Sequence, residues 1–172
     1  MLGVLLGALT LFQTPVAGST QAASSAEPPL PNIVLILTDD QAKGTLAGIP
    51  YVASHIRDQG VDFTNAIIPT SICCPSRAAL LTGNHSHTTG VYTNYASNLG
   101  GWSAFHPHEG STLATQLDSI GYQTALIGKY INGFPNAMDS GEASIPPGWD
   151  LFSYVSTSTQ GDLYYNYDLL GT

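Results

Sequence analysis

The sequence predicts an α/β sandwich in which a mainly parallel central sheet is covered by helices. The first observation is an unbroken apolar run, Ile33–Leu37, which is typical of a strand buried on both faces. The second is that strand-like and helix-like patterns alternate after this run, as they do in parallel sheets with helical connections. The third is that glycine and proline stand at the predicted ends of these segments. Ligands of such folds bind beyond the carboxyl ends of the strands, so we expect the chemistry there.

The first half of the chain contains a predicted strand, helix and strand in that order. The first strand covers Asn32–Thr38. Tyr51–Gln59 has apolar residues at helical spacing and stops before Gly60, and Val61–Ala66 alternates in the manner of a strand. This order is that of a crossover unit in a parallel sheet, which places both strand ends at one edge.

The second half contains two predicted helices and one further strand. Pro75 suits the first position of a helix and Gly83 the residue after its end, which predicts a short helix over Pro75–Thr82. Ser111–Ile120 is the next predicted helix, and Thr124–Ile127 is a short buried strand. The remaining segments are predicted to be loops, apart from one candidate strand near the end: Asn84–Gly110, the chain beyond Asn132, and the candidate strand Tyr164–Tyr167.

The N-terminus has the pattern of a secretory signal peptide. Met1–Phe12 contains an apolar run that is too short to span a bilayer, and Thr20–Ala23 supplies the small residues of a cleavage site. We therefore predict a signal peptide over residues 1–23, a linker over 24–31 and a secreted or cell-envelope protein. No Lys or Arg precedes the apolar run, so a lipid anchor stays open, and no later segment is long and apolar enough to form a stable membrane span.

The composition predicts one globular domain that does not bind nucleic acid. Of the 172 residues, 43% are hydrophobic, which is enough to fill a core. The net charge is −8 with four basic residues, so neither a nucleic-acid backbone nor an anionic membrane is an expected partner. An anionic ligand would therefore need a local cluster of positive charge.

The two cysteines of the chain, Cys73 and Cys74, are neighbours in the sequence. Adjacent cysteines close only a strained ring and cannot join distant segments, which excludes a disulfide scaffold. A zinc site is also disfavoured, because the five histidines do not fall at ligand spacing from the cysteines. Two small buried apolar side chains remain an open interpretation of the pair.

Charged residues follow the predicted strands and surround the predicted helix start. Asp39 and Asp40 offer oxygen ligands to a hard cation, although Asp is also common in turns and helix caps. Arg77 lies one helical turn from Cys73, and with the backbone N–H groups of the helix start it could bind a tetrahedral oxyanion. Taken alone, Arg77 is equally compatible with a surface ion pair, and Lys129 with a solvated side chain.

Two long motifs carry a family resemblance. Cys73–Arg77 (CCPSR), continued by Leu81–Gly83 (LTG), resembles the sulfatase signature C-x-P-S-R-x-x-x-L-T-G. Gly121–Lys129 resembles the second sulfatase signature, and Asp39-Asp40 stands where the family has its N-terminal metal pair. The form CCPSR followed by GKYIN resembles the N-acetylglucosamine-6-sulfatases. The resemblance implies the N-terminal part of the alkaline-phosphatase-like sulfatase fold, with residues 32–172 as the N-terminal part of a catalytic domain.

The resemblance also implies a role for each matching residue. Cys73 would be oxidised by a separate formylglycine-generating maturation enzyme, and its hydrated aldehyde would supply the hydroxyl nucleophile that attacks a sulfate ester. Asp39, Asp40 and modified Cys73 would bind Ca²⁺, with Mg²⁺ as the alternative ion. Arg77 would stabilise the formylglycine, Lys129 would contact a sulfate oxygen, and Cys74 would be a bystander. His87 matches a histidine often seen at this place in the family, and both a substrate contact and a solvated loop position stay open for it.

The resemblance implies a sulfuric ester hydrolase acting on a sulfated sugar or an aryl sulfate. Two alternatives stay open: a phosphate or phosphonate ester hydrolase of the same superfamily, and a non-catalytic exported fragment. The later metal ligands, the second Lys and the later His of sulfatases have no counterpart in the printed sequence. We therefore expect the N-terminal part of a sulfatase, either a truncated gene product or an incomplete sequence, without the C-terminal part of the domain and with weak binding of Ca²⁺.

Overall fold

The computed structural model of the chain describes residues 30–156 and 167–171. They belong to two compact units, residues 1–37 and residues 38–172. The predicted signal peptide, most of the predicted linker and most of the candidate strand Tyr164–Tyr167 lie outside the described residues. None of the helices in the described ranges has the length and apolar character needed to cross a bilayer.

The prediction of a first strand over Asn32–Thr38 is wrong. Ile33–Leu37 belongs to no strand of the described sheet, and its side chains are exposed. An apolar run supplies side chains for burial, but a strand also needs neighbours for its N–H and C=O groups. The described sheet does not provide those neighbours, so Asp39 and Asp40 follow a segment without regular secondary structure instead of a strand.

The predicted helices are confirmed with changed bounds. The prediction over Tyr51–Gln59 corresponds to α1 and a following 3₁₀ turn, that over Pro75–Thr82 to α2, and that over Ser111–Ile120 to α5. The described helices are α1 (Pro50–His55), α2 (Cys73–Thr82), α3 (Ser86–Thr89), α4 (Gly101–Phe105), α5 (Leu113–Ser119) and α6 (Phe134–Ser140), with 3₁₀ turns at Thr45–Gly48, Arg57–Gln59 and His106–His108.

The prediction of a second strand over Val61–Ala66 is also wrong. Val61–Ala66 has no strand pairing, and Val61 and Phe63 are exposed. Alternation of apolar and polar residues indicates a strand only where one face can pack on a core, and here neither apolar side chain does so. The segment is a turn-containing connection between α1 and α2.

In the described part of the chain, three strands form one mixed sheet in the order β1-β2-β3. They are β1 (Ala125–Gly128), β2 (Leu151–Val155) and β3 (Leu169–Gly171). The pair β1 and β2 is parallel, with Ala125 opposite Leu151, whereas β2 and β3 are antiparallel. The predicted strand over Thr124–Ile127 is confirmed as β1. The prediction that this strand is buried is wrong, because Ala125 and Ile127 are exposed.

The core lies between the sheet and segments that the sequence pattern assigned to loops. Phe134 on α6 makes edge-to-face contacts with Tyr130, Phe152 and Tyr154, at centroid distances of 5.0, 5.4 and 5.2 Å. The predicted loop Asn84–Gly110 also contributes buried side chains to this core, namely Val91, Trp102 and Phe105. The prediction of a loop over Asn84–Gly110 is therefore wrong, because the segment contains α3 and α4. The prediction of loops beyond Asn132 is also wrong where the chain forms α6 and β2.

Candidate active site

The helix α2 begins at Cys73 and presents this residue at its N-terminal end. Ile72, the N-cap residue, makes no side-chain capping bond. The N–H of Cys74 instead donates to Asn94 Oδ1 at 2.7 Å, and the N–H of Ser76 donates to the Ile72 carbonyl at 3.0 Å. Pro75 has no N–H, so the predicted anion site loses most of its backbone donors. The positive charge that would bind an anion at the N-terminal end of α2 must therefore come from side chains.

Asp39, Asp40 and Cys73 come together at the start of α2. One ligand atom of each residue lies within 4.8 Å of the other two, and Cys73 Sγ is 4.0 Å from Asp40 Oδ1. Asp40 has a φ of 52°, a left-handed conformation that Asp adopts more readily than most residues. The chain bends at Asp39 and Asp40, and both carboxylates lie near the thiol.

Two basic side chains contact the carboxylate of Asp39. Lys129 follows β1 directly and its Nζ donates to Asp39 Oδ2 at 2.6 Å. Arg77 Nη2 lies 3.5 Å from Asp39 Oδ1, and its Nη1 donates to the Lys129 carbonyl at 2.5 Å. Half of the four basic residues of a chain with net charge −8 therefore lie at one site. We name Asp39, Asp40, Cys73, Arg77 and Lys129 the Cys73 cluster.

The ion pair between Lys129 and Asp39 shifts the pKa values of both groups. Burial alone would raise the pKa of Asp39, but the hydrogen bond and charge of Lys129, with the charge of Arg77, lower the pKa below its ordinary value. Burial alone would lower the pKa of Lys129, but the bond to Asp39 raises it. Asp39 is thus held as a carboxylate and Lys129 as a cation at neutral pH.

Comparison with known proteins assigns the chain to a family. The sulfatase family model matches residues 31–168. The chain belongs to the sulfatase family. Family membership implies an alkaline-phosphatase-like fold, and the small mixed sheet and helices of the described residues are compatible with it.

Several curated sulfatases are similar to the chain over much of its length. It is 36% identical over 143 residues to the human N-acetylglucosamine-6-sulfatase, covering 81% of this chain and 25% of the relative. It is 37% identical over 150 residues to the extracellular sulfatase SULF-1 homolog of Drosophila melanogaster, covering 86% of this chain and 12% of the relative. The arylsulfatase of Volvox carteri is 32% identical over 141 residues, covering 75% of this chain and 20% of the relative. The chain thus spans a quarter or less of these sulfatases, and no solved structure matches it.

The two cysteines of the sulfatase signature lie in different environments. Cys73 is partly exposed in the Cys73 cluster, whereas Cys74 is fully buried in the core. Burial raises the pKa of the Cys74 thiol to about 11, and the charge of Cys73 acts in the same direction. Cys74 therefore behaves as the buried apolar side chain that was one interpretation of the pair, and Cys73 does not.

The donor set of the cluster fits a hard divalent cation. Asp39 and Asp40 offer carboxylate oxygens, the ligands that Ca²⁺ and Mg²⁺ prefer. The partly exposed Cys73 thiol is the third side chain of this group. A bound ion would share the Asp39 carboxylate with Lys129, so the ion and the lysine would both neutralise this acid.

His87 is the one predicted site residue that is not part of the Cys73 cluster. It is exposed on α3, where its ring stacks on that of His85 at a centroid distance of 5.7 Å. No contact with the Cys73 cluster is described for it. Its role in substrate binding stays a prediction.

Sequence reasoning missed the buried polar contacts of Tyr130, the residue that follows Lys129 in the chain. Glu109 is buried and its Oε1 accepts from Trp102 Nε1 at 3.0 Å and from the Tyr130 hydroxyl at 3.1 Å. Burial and the charge of Glu109 raise the pKa of Tyr130, so its hydroxyl stays a donor. Apolar residues at Trp102 and Phe105, one helical turn apart, were the available signal that this segment enters the core. Asn94 had no such signal.

Proposed function

We propose that these residues form part of the active site of a sulfuric ester hydrolase whose nucleophile derives from Cys73. The observation that carries the proposal is the cluster of Asp39, Asp40 and Cys73 ligand atoms within 4.8 Å of one another, flanked by Arg77 and Lys129. An anionic ester needs such local positive charge in an acidic chain. The arrangement joins a nucleophile position, oxygen ligands and cations at the start of one helix.

Each residue of the cluster has a proposed role. Asp39 and Asp40 hold Ca²⁺, or Mg²⁺ as the alternative, together with Cys73 in its formylglycine form. When bound, a divalent cation lowers the pKa of a hydroxyl beside it and so favours a nucleophile at neutral pH. Arg77, which is held by the Lys129 carbonyl, stabilises charge on residue 73, and Lys129 contacts a sulfate oxygen. His87 is proposed to contact the substrate.

The substrate class proposed is a sulfated sugar, with an aryl sulfate as the model substrate. Relatives named N-acetylglucosamine-6-sulfatase and arylsulfatase support this choice. A formylglycine-generating maturation enzyme is the proposed partner. Relatives named extracellular sulfatases support a secreted or cell-envelope location, which agrees with the predicted signal peptide.

The proposal predicts metal-dependent hydrolysis of a sulfate ester. The test uses the gene product that contains this chain, coexpressed with the maturation enzyme, and compares a sulfate and a phosphate ester of one phenol. Mass spectrometry of the peptide containing Cys73 measures its conversion to the aldehyde. We expect turnover of the sulfate ester that a chelator abolishes, and about tenfold or greater loss in Asp40→Asn, because one ligand charge is removed.

Asn suits the left-handed backbone at position 40, so Asp40→Asn changes the ligand and not the turn. Asp118→Asn, an exposed residue on α5, is the matched control and should keep full activity. Faster turnover of the phosphate ester would favour the related phosphatase chemistry. Complete conversion of Cys73 without turnover of either ester would contradict an enzymatic function.

A further inference from the structure

A compact loop, Tyr92–Gly101, lies behind the start of α2. The N–H of Tyr92 donates to the Leu99 carbonyl at 2.8 Å, and the N–H of Gly101 donates to the Thr93 carbonyl at 3.1 Å. A Cβ on Gly100 would lie 2.1 Å from Thr93 Oγ1, so only glycine allows this close approach. Backbone bonds at both ends therefore close the loop, and Asn94 lies within it.

Asn94 caps α2 from outside the helix. Its Oδ1 accepts from the N–H of Cys74 at 2.7 Å, across 20 positions of sequence. Asn is among the preferred residues for satisfying a free N–H at a helix start, but it usually does so from the N-cap position itself. Here the N-cap residue is Ile72, which has no polar side chain. The loop thus supplies the cap that the local sequence lacks.

The capped N–H belongs to the peptide unit that joins Cys73 to Cys74. The Cys74 side chain is buried in the core, so this peptide is held by the core on one side and by Asn94 on the other. The backbone of Cys73 has little freedom left, and its Sγ lies 4.0 Å from Asp40 Oδ1. We propose that Asn94 is a positioning residue that holds Cys73 against Asp39 and Asp40. The metal-binding aspect of this inference rests on the proposed function.

The helix offers a matched control at its other end. Asn84 Nδ2 donates to the Thr82 carbonyl at 3.2 Å, at an exposed site beyond the C-terminus of α2. Asn84→Ala therefore removes a side-chain bond from the same helix without touching the residues around Cys73. A role of Asn94 in helix stability alone would make the two alanine variants behave alike.

The experiment uses Co²⁺ to test whether the Cys73 thiol lies at the proposed metal site. The chain is produced with unmodified Cys73 and titrated with Co²⁺, and the charge-transfer absorption between thiolate and cobalt reports sulfur in the coordination sphere. We expect Asn94→Ala to bind Co²⁺ about tenfold more weakly, with loss of this absorption, because outer partners orient metal ligands. Asn94→Asp keeps an acceptor oxygen and should keep the absorption, as should Asn84→Ala. Circular dichroism checks that each variant is folded.

The outcomes separate this inference from the proposed function. A wild-type chain that binds no Co²⁺ contradicts the proposed metal site and overturns the inference with it. A wild-type chain that binds Co²⁺ without the thiolate absorption shows that Cys73 is not held against the carboxylates, and this result overturns the inference alone. A wild-type absorption that Asn94→Ala keeps, or that Asn84→Ala loses equally, overturns the role of Asn94 alone. Hydrogen exchange of the Cys74 amide in the unsubstituted chain is a second measurement that needs no variant. Exchange as fast as in an unfolded peptide would show that the cap is absent and would also overturn the inference.

Discussion

Two adjacent residues of one type, Cys73 and Cys74, differ through their surroundings. Cys73 faces carboxylates and solvent at the start of α2, whereas Cys74 packs into the core one position later. Successive residues of a helix point about 100° apart, so neighbours at the helix start can face opposite environments. The signature motif marked Cys73 for chemistry, but the burial of Cys74 depends on side chains from distant segments.

The difference predicts selective alkylation. In the folded, unmodified chain, iodoacetamide at neutral pH should label Cys73 and leave Cys74 unlabelled, because burial excludes the reagent and raises the pKa of Cys74 to about 11. Peptide mass spectrometry measures the label at each position. In urea both cysteines should react, which serves as the control. Comparable labelling of both in the folded chain would show that Cys74 is not buried.

At the scale of elements, helix ends were predicted better than strands. Gly83 and Pro75 are local signals, and α2 ends at Thr82 as expected but begins at Cys73 instead of Pro75. Pro75 inside the first turn costs no intrahelical bond, because the first N–H groups of a helix have no partner within it. Strands depend on pairing with distant segments, which explains why Val61–Ala66 was wrongly predicted and β2 was missed.

The C-terminal end of α2 gives a prediction about stability. Gly83 has a φ of 70°, and a Cβ added there would meet nothing within 4 Å. Gly83→Ala should therefore lower the free energy of unfolding by about 1 kcal/mol through backbone conformation alone. Gly83→Asn should recover part of this loss, because Asn tolerates the left-handed region. Urea denaturation measures both variants, and equal stability of wild type and Gly83→Ala would contradict the assigned conformation.

At the scale of the whole molecule, one site concentrates basic charge, and one segment of the described residues exposes apolar side chains. The Cys73 cluster concentrates basic residues in an otherwise acidic chain. Ile33–Leu37 leaves a continuous apolar segment exposed, with Val34 83% exposed. Extended apolar segments of this kind are sites of association between chains.

This exposed segment predicts concentration-dependent self-association of the chain. Val34→Lys should lower the fraction of oligomers, because a charge resists burial between two extended segments. Tyr95→Lys, at a position that is 81% exposed but outside this run, should change it little. Sedimentation velocity at several concentrations measures the distribution. An unchanged distribution for Val34→Lys would place any association elsewhere on the molecule.

The sequence by itself predicted the family, the order of the motifs, the helix α2 and all five residues of the Cys73 cluster. These follow from local signals, such as residue types at fixed spacing and glycine or proline at helix ends. The tertiary structure alone decided that Lys129 pairs with Asp39 across 90 positions, that Asn94 caps α2 and that Ile33–Leu37 is no strand. Each of these depends on which distant groups satisfy a charge, an N–H or an apolar surface, and a local pattern does not specify the partner.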